Sequence, residues 1–465
     1  MDFSAANVEL WKPIIQIGII AALMIFSNVL LRKIPFIRKS LMPLSVLAGF
    51  ILLILRSTGI LDIDTVFLED LTYHALALGF IAMALRVPDK SADSGALVGA
   101  RSGALIVSTY LVQGIVGLII SLGLAYTVMP NLFKASGLLL PMAYGQGPGQ
   151  ANNVGLTYEN LSKALGSEEL FFSGRTFGLS LSAMGYLCAC VVGVIFLNIY
   201  NKRGSIRRQK DKSELSGSVT LDTFQHQGEI PISESIDKLS IQFALVAVIY
   251  LVTYLITWGI SALLEKFAPG LAATVSTLLW GFNFIIGSLV ATGCRSLFVG
   301  LRSVKLMTRQ YQNNYLLSRI SGLAFDLMII AGIASINIED LTGLWIPFII
   351  MAITGGVVTF LYLKFMCKKL YPNYENEGFF SMYGMLTGTI SSGILLLREI
   401  DPEFDTPAAN NLLTGSSFGI LFGAPMLLLI SLAAQSDLMC ILTVGILAVY
   451  LAALLLFILA RKKKK

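Results

Sequence analysis

Tyr144-Gly-Gln-Gly-Pro-Gly-Gln-Ala-Asn-Asn153 decides the fold, because it interrupts an apolar run in its middle. Glycine in a helix interior costs about 1 kcal/mol against alanine. The amides of Gln146, Gln150, Asn152 and Asn153 are too costly in hydrocarbon unless they line a cavity. The run 135–155 therefore reads as re-entrant: it dips into a bilayer, turns on its glycines and comes back. A second run, 379–397, is broken in the same way by Gly384, Thr387, Gly388, Thr389, Ser391 and Ser392.

The surroundings fit that setting. Of 465 residues 55% are hydrophobic and 13% charged, with a mean hydropathy of +0.76, so lipid is the solvent for most of the chain. A membrane helix needs roughly 20 apolar residues. The pattern predicts about eleven spans, two of them short: 12–31, 43–55, 71–85, 104–128, 171–200, 241–264, 271–291, 315–336, 345–366, 412–434 and 439–460. Strand-like alternation is absent, so the fold class is an all-α polytopic membrane protein. Acids precede the first apolar run and Arg32, Lys33, Arg38 and Lys39 follow it, the reverse of a cleaved signal, so the first helix is expected to be retained.

Basic residues mark topology rather than a nucleic-acid site. With the N-terminus outside and the C-terminus cytoplasmic, about 26 of the 34 Lys and Arg fall in cytoplasmic loops and the tail. The two interrupted segments then enter from opposite faces, which makes the halves inverted copies. The letters agree: Tyr144-Gly145 and Gly149 are answered by Tyr383-Gly384 and Gly388, and Gly174-Arg-Thr-Phe-Gly178 by Gly415-Ser-Ser-Phe-Gly419. The expected organisation is a first five-helix repeat over 1–200, a cytoplasmic linker over 201–238, a second repeat over 239–434, and an extra helix with a basic tail over 435–465.

Inverted repeats with discontinuous helices point to a substrate site near the bilayer midplane. Gln146, Gly147, Gly149, Gln150, Asn152 and Asn153 are its candidates in the first half; a glycine packing contact between helices is the alternative. In the second half Thr387, Thr389, Ser391 and Ser392 offer hydroxyls suited to a dehydrated cation, or else bond back to their own helix. Gly384 and Gly388 bring backbone carbonyls close enough to help hold the ion. Asp326 is a charge inside a span and hence a candidate cation ligand or proton carrier, or one half of a buried pair. Arg175 has no basic counterpart in the second half, which suits a residue that grips a carboxylate; surface snorkelling is its alternative. Arg398 is a candidate anion contact or an interfacial topology marker. His74 reads as a hydrogen-bonded structural histidine. The five cysteines lack metal or disulfide spacing.

On Gly145-x-Gly147-x-Gly149-x-Ala151, the run Tyr383-Gly-Met-Leu-Thr-Gly-Thr389 and the Phe-Gly pairs at 177 and 418, the chain resembles the bacterial sodium/glutamate symporter family. The resemblance implies a homodimer in the bacterial inner membrane, sodium as coupling ion, no other cofactor, glutamate or a related small carboxylate or amino acid as substrate, and elevator-like movement of a transport unit against a scaffold. Gln146, Pro148 and Gln150 depart from the family run, which is of the Gly-His-Gly-Thr-Gly type; Asp326 stands where that family has an apolar residue, and the helix at 439–460 is an addition to its ten-helix core. A channel with the interrupted segments as selectivity filter is the alternative function. No nucleophile with a His/Asp partner, metal cluster or phosphate loop points to an enzyme.

Overall fold

The computed structural model describes all residues except 1, 5, 40, 41, 88–95, 165–170, 172, 203–237, 268–274, 277, 278, 282, 308, 402–405 and 461–465. The side chains of residues 38, 39, 96, 162–164, 201, 202 and 391 are not described either. Of the linker expected over 201–238 only residues 201, 202 and 238 lie in this set, and the basic tail 461–465 lies outside it. Among the described residues no strand forms, and ten helices are long and apolar enough to cross a membrane.

The helices are α1 (Val8–Lys33), α2 (Pro35–Lys39), α3 (Leu44–Ser57), α4 (Thr65–Leu85), α5 (Ala96–Thr127), α6 (Leu139–Tyr144), α7 (Pro148–Ala164), α8 (Gly174–Leu187), α9 (Gly193–Lys202), α10 (Lys238–Phe267), α11 (Asn283–Ser303), α12 (Asn314–Ala334), α13 (Trp345–Leu370), α14 (Glu375–Thr387), α15 (Ile390–Arg398), α16 (Ala408–Ala433) and α17 (Asp437–Leu459). A π-helical turn at Cys188–Val192 joins α8 to α9, so 174–200 runs as one span. Helix α3, expected as a span, has only 14 residues, or about 21 Å at 1.5 Å per residue.

Several boundaries differ from expectation: α4 and α5 start at Thr65 and Ala96, not 71 and 104, and the span predicted at 271–291 continues to Ser303, with 271–274, 277, 278 and 282 of its first half outside the described residues. The helix runs past Ala291 because Arg295, a charge that should end it, is accommodated: its guanidinium donates to the main-chain oxygens of Ala84 and Arg86 at 3.1 and 3.0 Å, at the C-terminal end of α4.

The chain divides into two compact units, 1–72 with 95–210 and 329–465, and 73–94 with 211–328. The smaller unit has a core of Ile81, Ala82, Leu85, Val246, Ile249, Ala291 and Leu317. Beside it Tyr73 donates to the oxygen of Trp280 at 2.7 Å, Asn283 donates to Tyr73, and His74 pairs with the Tyr250 hydroxyl at 2.6 Å.

The larger unit is assembled on α5, whose glycines let neighbours approach to backbone distance. Gly99 and Gly103 meet Thr414, Gly415, Phe418 and Gly419 of α16, a small-xxx-small crossing on both sides. Gly117 meets Gly137 in the 3-10 turn Lys134–Leu138 before α6. The added helix α17 also packs on α5. Lys134 and Asp437 pair at 2.9 Å near its start, Arg101 donates to the oxygen of Ala460 at its end, and Tyr450 donates to the oxygen of Phe422 between them.

Candidate functional site

Both glycine-rich segments contain a helix break. In the first, α6 stops at Tyr144 and α7 starts at Pro148, with Gly147 at φ +87° between them, a left-handed conformation that glycine adopts without strain. In the second, α14 stops at Thr387 and α15 starts at Ile390, across Gly388 and an extended Thr389. At 13 residues α14 is about 20 Å long, short of the ~30 Å hydrocarbon core. It packs on α15, where Gly384 lies so close to Gly393 that a Cβ on Gly384 would be 2.8 Å from the Gly393 Cα.

The two breaks meet. A Cβ on Gly147 would lie 3.6 Å from Thr389 Cγ2 and 3.7 Å from the oxygen of Gly388. Two helices, α7 and α15, start at this point. Their first N–H groups have no intrahelical acceptor and carry the positive end of the helix dipole, and neither first turn holds an acid. The ends of α6 and α14 bring carbonyl oxygens and a partial negative charge to the same breaks. Neighbouring helices brace them: the ring of Tyr110 on α5 covers Gly145, and the oxygen of Thr387 reaches Gly185 on α8.

Polar side chains on the helices that meet here lack partners. Gln150, 1% exposed, has neither amide atom hydrogen-bonded, and Asn152 Oδ1, Thr389 Oγ1, Ser392 Oγ and the Tyr383 hydroxyl are buried atoms in the same condition. Ser392 Oγ lies at the break itself, 2.9 Å from where a Gly388 Cβ would stand. Ser182 Oγ is also unpartnered and occupies the α8 face between Gly178, which packs on Ala151, and Gly185. A native protein leaves few buried polar groups unsatisfied, so such a concentration marks a place for water, ion or ligand.

The expected site residues fall into groups. Gly147, Gly388 and Thr389 come together at the breaks, with Gln146 half-buried beside Gly147 and Ser392 beside Gly388. Gly149, Gln150, Asn152 and Asn153 form the buried first turns of α7. Gly384 serves the packing of α14 on α15. Thr387 bonds back to its own helix, donating to the oxygen of Tyr383 at 2.7 Å. Ser391 lies on α15, and its side chain is outside the described set. Arg398 is half-buried at the far end of α15. Asp326 is half-buried on α12, in the part of that helix belonging to the smaller unit.

Arg175 is placed away from the breaks. Its backbone lies against Gly155, two turns and about 12 Å along α7 from Gly147. Its side chain donates to Glu159 from Nε at 3.0 Å and to Glu69, and its main-chain N–H bonds Glu159 at 2.8 Å. The guanidinium expected to grip a substrate carboxylate is occupied by two carboxylates of the chain itself.

Some site residues escaped sequence reasoning. Gln113 on α5 and Ser182 on α8 are buried polar groups that belong to no motif, and their place in a predicted span was the only available signal. Among the described residues no group of three His, Cys, Asp or Glu side chains could hold a metal, and none of the five cysteines forms a disulfide. No protein-family model and no curated protein matches the chain. Its many apolar helices are those of a multi-pass membrane protein and fit a transporter or channel in general.

Proposed function

We propose that this protein is a secondary active transporter that carries glutamate or a related small carboxylate or amino acid in symport with sodium, by alternating access. The observation that carries the proposal is the meeting of two helix breaks, Gly147 and Gly388–Thr389, among unpartnered uncharged polar groups. Two unneutralised helix N-termini suit an anionic group, while helix C-termini and hydroxyl oxygens suit a small cation. In this proposal Gln150 and the first N–H groups of α7 and α15 receive the carboxylate in place of Arg175, and Thr389 and Ser392 face the ion. The resemblance at residues 145–151 and 383–389 supports sodium and glutamate as the first pair to test. The inverted five-helix repeats with re-entrant segments, the homodimer, the elevator-like movement, and an inner-membrane setting with the N-terminus outside belong to the same proposal.

The test is uptake of labelled glutamate into proteoliposomes under an inward sodium gradient, against potassium as control. Saturable accumulation above equilibrium that collapses without sodium is expected. Non-saturable flux that only dissipates a gradient would identify a channel instead. Asp326→Asn is expected to change the sodium or proton dependence of uptake; an unchanged ion titration removes Asp326 from the coupling machinery. Single cysteines at the exposed Asn131 and Asn373, which lead into the first and second interrupted segments, are expected in a cysteine-free background to label from opposite membrane faces, and labelling from one face would overturn the inverted topology.

A further inference from the structure

Gln113 sits midway along α5 and is fully buried. Its Nε2 donates twice, to Thr359 Oγ1 on α13 at 2.8 Å and to the main-chain oxygen of Leu386 on α14 at 3.0 Å. The Leu386 carbonyl can only accept, so the amide is fixed with its nitrogen toward that oxygen; the reverse orientation would set two oxygens against each other. The amide oxygen is therefore the free end, and it is buried with no hydrogen-bond partner.

A buried carbonyl oxygen in that state calls for a positive partner. Its surroundings are electronegative. Helix α14 ends one residue beyond Leu386, so its last carbonyls lack intrahelical donors and carry the negative end of the helix dipole. Across the break, Thr389 Oγ1 and Ser392 Oγ are two more buried oxygens without a partner. A helix C-terminus with neutral oxygens is the chemistry that strips and holds a small monovalent cation. We infer that the Gln113 amide oxygen is a ligand of a sodium ion held at the C-terminal end of α14, and that Thr359 is a positioning residue that locks the amide. This assignment rests on the proposed cation coupling and adds to it a residue from α5.

The experiment is a melting-temperature titration of the purified full-length protein with sodium chloride against choline chloride at constant ionic strength, without substrate. Wild type is expected to show saturable stabilisation. Gln113→Leu, or Gln113→Met should the leucine variant not fold, is expected to raise the sodium midpoint by about ten-fold or more, and Thr359→Val by a smaller factor of about two to five. Unchanged midpoints in the leucine and methionine variants, with wild type responding, overturn the assignment of Gln113 alone. No response in wild type overturns the coupling proposal and this assignment with it. If Gln113→Leu leaves the sodium midpoint unchanged but weakens stabilisation by glutamate at saturating sodium, the oxygen receives the substrate's ammonium and the cation assignment fails.

Discussion

The two helix breaks solve one geometric problem with different chemistry. The first turns on a left-handed Gly147 and leads into amides at Gln150, Asn152 and Asn153; the second turns on Gly388 and an extended Thr389 and leads into hydroxyls. Amides both donate and accept, so the first break can read an organic ligand with mixed polarity. Hydroxyls and carbonyl ends present oxygen, and the second break is the better place for a cation. A symporter needs both kinds of ligand near one another, and this contrast is the strongest physical support for that class.

Substitutions can break or sharpen the contrast. The largest effect is expected at Gly384, where a Cβ would meet backbone atoms at 2.8 Å that cannot move aside like a side-chain end. Gly384→Ala should cost about 2–3 kcal/mol or prevent folding, read as a lower melting temperature and loss of monodisperse protein. A melting temperature equal to wild type would contradict the close packing of α14 on α15.

Next is Gln150, whose amide is buried and unpaired at both atoms. Gln150→Leu should stabilise the ligand-free protein by about 1 kcal/mol, because it removes an unsatisfied polar group, and should also weaken stabilisation by substrate. Destabilisation with intact substrate response would make Gln150 a structural residue.

Gly147→Ala should cost roughly 1 kcal/mol, and for a different reason from Gly384: φ is +87°, but nothing stands closer than 3.6 Å to the new methyl. The loss should therefore be conformational, and Gly147→Asn, which tolerates that region better, should recover part of it in the same melting assay.

The smallest effect is expected at Asp64, outside the spans. The Val66 N–H, and after it Lys12, hold its carboxyl below the usual carboxylate range. Such a group stabilises above its unfolded pKa near 4, and the contribution fades as pH falls through the lower folded value. The pair is exposed, so Asp64→Asn should change stability at pH 7 by less than about 0.5 kcal/mol. A larger loss would mean that the contact between the start of α1 and the segment before α4 matters more than an exposed pair can.

Much of this architecture is legible in the letters for identifiable reasons. Glycine density between apolar runs located both breaks, because only a turn needs Gly147 and Gly388 there. The repeated letters do different work in the two halves. Gly174 and Gly178 pack α8 on α7, whereas Gly415 and Gly419 pack α16 on α5. The sequence could not tell that Arg175 meets Glu69, 106 residues away, because ion pairing depends on which helix faces which. Nor could it tell that Arg295 would meet the carbonyls of Ala84 and Arg86 at the end of α4, on a helix that continues to Ser303. Gln113 was invisible for a related reason: a lone amide in an apolar helix has no motif, and its meaning comes from the α14 terminus it touches.

Whether the two breaks form one ligand site is tested most directly by a double-mutant cycle. Gln150→Leu, Ser392→Ala and the double variant would be compared for the melting-temperature shift produced by glutamate with sodium. One shared site predicts that the losses are strongly non-additive, with the double variant little worse than the more severe single one. Losses that add as independent terms would mean that the two breaks serve separate sites, and would contradict a single site built from both.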